Sequence, residues 1–379
     1  MSPSPLRIRG FESISAPSIN NQELIITARP IQKILFGSPG TGKSYRIDNE
    51  IIPIDLQINR DDNPENIIKT VFHPEYTYGD FIGKLMPLTN SDGKVEYKFY
   101  EGHFLKALAQ AYKNIISTPK GEEAKKVVLV IDEINRGNSS AIFGTVFQLL
   151  DRNEDGWSSY GIDISDLELR TLVELMGFEK VGNEEKNFTY KHEGKGYAKT
   201  LEKHDDILDK INIKIKNNKT VGSCISIPYN LSMIATMNTS DNSIYFMDSA
   251  FKRRWDWEFI NWDDSKPPKA DYGSEGTLSQ DEWGNLIKNL NSFIKSHHAS
   301  IRGIEDKQIG KYFIKSPVTS EKIQNKLMFF VWDSIFNRDK KPLVDLLEVN
   351  RDRLVTFGDF TQLHNEFVDN LMKWSSRPV

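Results

Sequence analysis

Gly37-Ser38-Pro39-Gly40-Thr41-Gly42-Lys43-Ser44 sits between Ile31 to Phe36, which reads as a short buried strand, and Tyr45-Arg46-Ile47-Asp48, a segment able to open a helix. A glycine-rich turn between strand and helix aims several backbone N–H groups at one point, where the helix N-terminus adds partial positive charge. Side chains at those glycines would keep a triphosphate at a distance. Lys43 is placed to neutralise β- and γ-phosphates, and the Ser44 hydroxyl to ligate Mg²⁺. The chemistry implied is nucleoside triphosphate binding.

Hydrolysis requires carboxylates opposite that loop. Val127 to Ile131 runs directly into Asp132-Glu133, which puts both acids at a strand's carboxyl end, where ligands bind in open α/β sheets. Asp132 suits the Mg²⁺ shell, and Glu133 suits orienting and deprotonating the attacking water. A further strand, Leu231 to Thr236, leads into Met237-Asn238-Thr239-Ser240-Asp241-Asn242. Asn238 could hydrogen-bond the γ-phosphate or the water, although an asparagine after a strand is also a common turn residue. Phe251-Lys252-Arg253-Arg254-Trp255 follows. Its arginines could pair with acids such as Asp256 and Glu258, or one could reach a neighbouring subunit's γ-phosphate and stabilise transition-state charge. The second role exists only in an oligomer.

These residues need a sheet to hold them. From about residue 31, short β-branched runs alternate with helical patterns, the sign of a parallel sheet covered by helices. Ile67 to Phe72 reads as a strand, and Phe104, Leu105, Leu108, Tyr112, Ile115 and Ile116 recur at helical spacing. Ile142, Phe143, Val146, Phe147, Leu149 and Leu150 make an apolar helical stripe suited to a core. Residues about 152–224 are dense in Lys, Glu and Asn and read as a charged insertion; its stretch Lys210 to Lys219 reads as a solvated face ahead of a phosphate contact. After Pro267-Pro268, Trp283 to Ile294, Ile323 to Ile335 and Phe360 to Met372 read as helices. The expected organisation is an N-terminal extension over 1–30, an αβα nucleotide-binding domain over 31–262, and a smaller helical domain over 263–379.

The bulk composition adds exclusions. In 379 residues, 49 basic and 53 acidic side chains leave a net charge of −4, so no global field draws the chain to nucleic acid or membrane. A single cysteine, Cys224, excludes an intrachain disulfide and a cysteine-rich zinc site, and suits a small hydrophobe on a strand. No apolar run reaches membrane-spanning length, and Met1-Ser2-Pro3-Ser4-Pro5 lacks a signal peptide's apolar segment. A soluble, cytoplasmic protein without membrane partners is expected. His73 and His297-His298 are poor metal ligands by their settings.

The phosphate loop, Val127 to Glu133, Asn238 and Arg253-Arg254, followed by helices, resemble the AAA+ superfamily of P-loop parallel-sheet αβα domains with a smaller helical lid. Phe72-His73-Pro74-Glu75-Tyr76-Thr77-Tyr78-Gly79-Asp80-Phe81, Asp132-Glu133-Ile134-Asn135-Arg136-Gly137-Asn138 and Met237-Asn238-Thr239-Ser240-Asp241 resemble its McrB branch, the GTP-dependent motor of modification-dependent restriction systems. Weaker similarity continues into Gln308-Ile309-Gly310-Lys311-Tyr312-Phe313. The resemblance implies Asn238 as a water-positioning sensor and Asp241 in the network shaping that loop. It implies Arg136 and Arg253 or Arg254 acting across subunits of a ring, with a hexamer expected. It further implies an McrC-like nuclease partner, DNA reached through that complex, Mg²⁺, and GTP or ATP as substrate. Where the family has arginine after the motif aspartate, this chain has Asn242. With no sizeable domain ahead of the motor, reading and cutting DNA are expected of other subunits. A MoxR-like or dynein-related protein remodeller is the alternative. Tyr76, Tyr78 and Phe81 could face a ring's pore or pack in the core.

Overall fold

The structure is a computed structural model that describes residues 29–119, 121–184, 187–196, 215–216, 219–220, 224–239, 245–264 and 276–374. Its principal strands are β1 (Gln32–Gly37), β2 (Ile67–Val71), β3 (Gly83–Thr89), β4 (Val95–Glu101), β5 (Val127–Asp132), β6 (Leu231–Asn238) and β7 (Asp256–Phe259). A parallel sheet of five strands runs in the order β7-β1-β6-β5-β2. Val127 to Ile131 is buried throughout, as is Leu231 to Thr236, which fits central strands covered on both faces. The register pairs Gly37 with Asn238 and Val71 with Asp132. The loop after β1, the acids ending β5 and the amide ending β6 therefore emerge along one edge.

Helices α1 (Lys43–Arg46), α2 (Tyr78–Phe81), α3 (His103–Ser117), α4 (Ser139–Phe143), α5 (Asp166–Leu175), α6 (Ser249–Lys252) and α7 (Gln280–Ser296) accompany these strands. The stripe of α3 is buried as its spacing predicts. The stripe over Ile142 to Leu150 is also core, but not one helix: α4 stops at Phe143, and Gly144 turns left-handed at φ +49° beside the Tyr78 ring. Within the charged insertion, α5 is closed by a Ser165–Glu168 capping box and buries Leu169, Leu172 and Val173 in the same core as α3. The insertion thus begins by supplying core. Most of the Lys-rich stretch lies outside the described residues; Ile215–Lys216 and Lys219–Thr220 form a short antiparallel pair. Cys224 is partly buried on a short strand pairing Cys224–Ile225 with Ile162–Asp163.

Tyr76 stacks on Phe72 at 4.8 Å between ring centroids, and Phe81 is fully buried against Phe143, so both pack in the core. The exposed apolar side chains nearby sit instead on the β3–β4 hairpin, including Leu85, Val95 and Tyr97. That hairpin was not foreseen from the sequence, although Asp92-Gly93 and the alternation from Val95 to Phe99 mark it.

Helix α7 buries Trp283, Leu286, Ile287, Leu290, Phe293 and Ile294 in a second cluster with Leu327, Val331, Phe360 and Phe367. Ile323 to Ile335 is helical throughout, wound in wide turns on either side of Phe329 and Phe330, whereas the helix expected over Phe360 to Met372 is interrupted at Leu363, which separates Phe357–Gln362 from His364–Met372. Among the described residues no helix is long and apolar enough to cross a membrane.

Candidate active site

The phosphate loop is held from within by its own lysine. Lys43 is buried, and its ammonium donates to the carbonyls of Gly37 and Ser38, each at 3.0 Å. The Thr41 hydroxyl donates to the same Ser38 carbonyl at 3.1 Å. Gly40 and Gly42 take φ of +74° and +89°, where a side chain would be strained. Burial lowers the Lys43 amine to about 8, against the opposing pull of the Glu133 carboxylate.

Neighbouring strands then set the acids. The Thr236 hydroxyl on β6 donates to Asp132 Oδ1 at 2.9 Å and accepts the Glu133 N–H at 3.2 Å. Glu133 itself sits at φ +55°, uncommon for a residue with a side chain. The Asn238 amide donates to its carboxylate. Buried Asn135 donates to the Asn238 carbonyl at 2.9 Å, and its own carbonyl accepts the Tyr245 N–H at 2.9 Å. Lys43 and Asn238, nearly two hundred positions apart in sequence, thus both interact with Glu133. Asp241 lies outside the described residues.

For a divalent cation the available donors are hard oxygens. Ser44 is exposed in the first turn of α1 and its hydroxyl bonds to none of the described residues, while Asp132 has a second carboxylate oxygen outside its bond to Thr236. Such donors fit Mg²⁺ bridging to phosphate.

The adjacent arginines differ sharply. Arg254 is almost fully buried: it pairs with Asp151 at 2.6 Å, donates to the Ala250 carbonyl at 3.0 Å, and lies 3.9 Å over the Phe147 ring. Arg253 is exposed and makes no ion pair or hydrogen bond through its side chain to any described residue. Arg136 is exposed at the turn closed by its N–H on the Glu133 carbonyl at 2.9 Å.

Sequence reasoning missed Thr236 and Asn135 as the groups orienting the acids; the visible sign was a hydroxyl ending an otherwise apolar strand. It also assigned no role to Gly310 and Tyr312, whose N–H groups donate to the Pro39 and Gly40 carbonyls at 2.9 and 2.8 Å. The Ser38 hydroxyl donates to the Glu305 carbonyl at 2.7 Å in the same segment.

No family model matches the chain. It is 26% identical over 353 residues to the type II restriction enzyme BsuMI component YdiS of Bacillus subtilis (strain 168), covering 86% of this chain and 84% of that protein. Over 140 residues it is 31% identical to the type IV methyl-directed restriction enzyme EcoKMcrB subunit of Escherichia coli (strain K12), spanning 36% of this chain and 27% of that protein. A solved structure of a presumed ATPase from Cytophaga hutchinsonii ATCC 33406 aligns over 88% of this chain and 84% of its own at 13% identity, and its TM-score of 0.23 leaves that superposition without weight. A parallel sheet presenting a phosphate loop, strand-end acids and an asparagine on one edge, with similarity to a restriction-enzyme component running through most of the chain, supports an McrB-like AAA+ nucleoside triphosphatase.

Proposed function

We propose that the protein is the motor subunit of an McrBC-like restriction complex, hydrolysing GTP or ATP in an oligomeric ring to power a partner endonuclease. The observation that carries this reading is the similarity to a restriction-enzyme component over 86% of the chain. Ser44 and Asp132 would hold Mg²⁺, which supplies charge neutralisation at the phosphates. Glu133 takes the proton of the attacking water while Asn238 fixes the carboxylate that receives it. Lys43 neutralises the β- and γ-phosphates. Arg253, exposed and uncommitted where Arg254 is locked to Asp151, is the arginine that reaches a neighbour's γ-phosphate. Arg136, also exposed beside the acids, is assigned to the same subunit boundary, and Asp241 to the loop after Asn238.

The test is turnover of GTP and ATP by the purified protein, with and without the product of a neighbouring nuclease gene. Steady hydrolysis of one nucleotide, abolished in Lys43→Ala and stimulated several-fold by the nuclease, is expected. Normal turnover by Lys43→Ala would sink the site assignment, and indifference to every neighbouring nuclease would sink the restriction reading.

A further inference from the structure

The loop that would cradle phosphates is oriented from two sides. In a trans peptide the C=O and the following N–H point in opposite directions. Anchoring a carbonyl therefore aims the next residue's N–H the other way. Lys43 anchors the Gly37 and Ser38 carbonyls from inside the loop. The carbonyls of Pro39 and Gly40 are anchored from outside, by the N–H groups of Gly310 and Tyr312 at 2.9 and 2.8 Å. The N–H groups sharing those two peptides, on Gly40 and Thr41, are thereby turned away from the C-terminal unit, and neither donates to any described residue.

The anchoring segment is itself fixed to α7. Fully buried Asn291 accepts the Ile309 N–H at 3.0 Å and donates to the Ile309 carbonyl at 2.8 Å. Trp283, also fully buried, donates its indole N–H to the Lys311 carbonyl at 2.7 Å. The contact is too close for any side chain: a Cβ on Gly310 would lie 2.2 Å from the Gly40 carbonyl oxygen.

We propose that Ile309 to Tyr312, carried by Asn291 and Trp283, is a positioning element for triphosphate binding, so that the seating of the C-terminal helical unit sets the aim of the Gly40 and Thr41 N–H groups. This rests on the loop being a triphosphate site. When the unit shifts, those two donors lose their orientation while the Lys43-held half of the loop keeps its own. Nucleotide affinity then reports the position of the unit.

The test measures binding of a fluorescent GTP or ATP analogue to Gly310→Ala, to Ser38→Ala, which removes the Ser38–Glu305 contact from the loop side, and to Gly284→Ala, a helix position whose Cβ meets nothing within 4 Å. Unfolding temperature without nucleotide and backbone hydrogen exchange are read alongside. Gly310→Ala is expected to weaken binding about tenfold and Ser38→Ala about threefold, with Gly284→Ala unchanged. Turnover at saturating nucleotide should fall less than affinity does. In the wild type, the Gly310 and Tyr312 amides should exchange slowly without nucleotide, and those of Gly40 and Thr41 should become protected only when it is added. Wild-type affinity in Gly310→Ala overturns the proposal. Should that variant not fold, wild-type affinity in Ser38→Ala together with unprotected Gly310 and Tyr312 amides overturns it instead. A wild-type protein that binds no triphosphate would refute the nucleotide-site reading itself.

Discussion

The ends of β5 and β6 are organised by side chains, whereas the outer half of the phosphate loop is organised by backbone. At the strand ends, Thr236, Asn238 and Asn135 use hydroxyl and amide groups to fix Asp132, Glu133 and each other. At the loop, Gly310 and Tyr312 offer only their N–H groups to Pro39 and Gly40. A side-chain device needs a particular residue type and so can be read in a sequence. A backbone device needs only close approach, and its sole trace is a glycine such as Gly310 where a Cβ would collide.

Breaking the side-chain device should have the larger effect on chemistry. Glu133→Gln keeps the bulk at the end of β5 but cannot take a proton, so turnover should fall on the order of 10³-fold with triphosphate binding retained. Single-turnover hydrolysis against equilibrium binding separates the two, and unchanged turnover would remove Glu133 from the role of base.

The arginine pair sharpens the comparison, because packing gives adjacent residues of one type opposite placements, Arg254 inside and Arg253 outside. Arg253→Ala should lower turnover of the assembled protein roughly a hundredfold while leaving the unfolding free energy within about 0.5 kcal/mol of wild type. Arg254→Ala strands Asp151 and empties the space over Phe147, so a stability loss of about 1–2 kcal/mol is expected. Denaturant unfolding and turnover of mixed assemblies, one subunit lacking Arg253 and the other Lys43, check both; equal stability losses would erase the distinction.

The smallest effect is on pH. Lys43, the side chain holding the inner half of the loop, is lowered to about 8 by burial. The protonated amine is the form that binds phosphate. Affinity should therefore be flat below pH 8 and decline above it, by at most about tenfold per unit, whereas the Gly310 and Tyr312 contacts do not titrate. Affinity constant up to pH 10 would mean that Lys43 keeps its proton there.

Much of the sheet was legible: the central strands β5 and β6 are apolar runs, while β1 and the edge strand β2 showed themselves by apolar and β-branched residues around a lysine. Helix α3 showed its period clearly. The stripe from Ile142 to Leu150 hid a break because Gly144 leaves the apolar pattern intact while turning the chain against Tyr78. The β3–β4 hairpin was missed because β3, Gly83 to Thr89, shows no apolar–polar alternation, even though Val95-Glu96-Tyr97-Lys98-Phe99 in β4 alternates and Asp92-Gly93 offers a turn.

The order of residues alone determined that a loop able to hold triphosphate exists, that two acids follow a buried strand, and that an asparagine follows another. Each of those is a local fact, fixed by residue types within a few positions. Only the tertiary structure decided that Asn238 bonds Glu133 within the electrostatic reach of Lys43, that Arg254 is spent inside while Arg253 faces outward, and that the helical C-terminal unit grips Pro39 and Gly40. Those outcomes depend on sheet register and on how closely two backbones approach, and neither is written in the identity of the residues that come together.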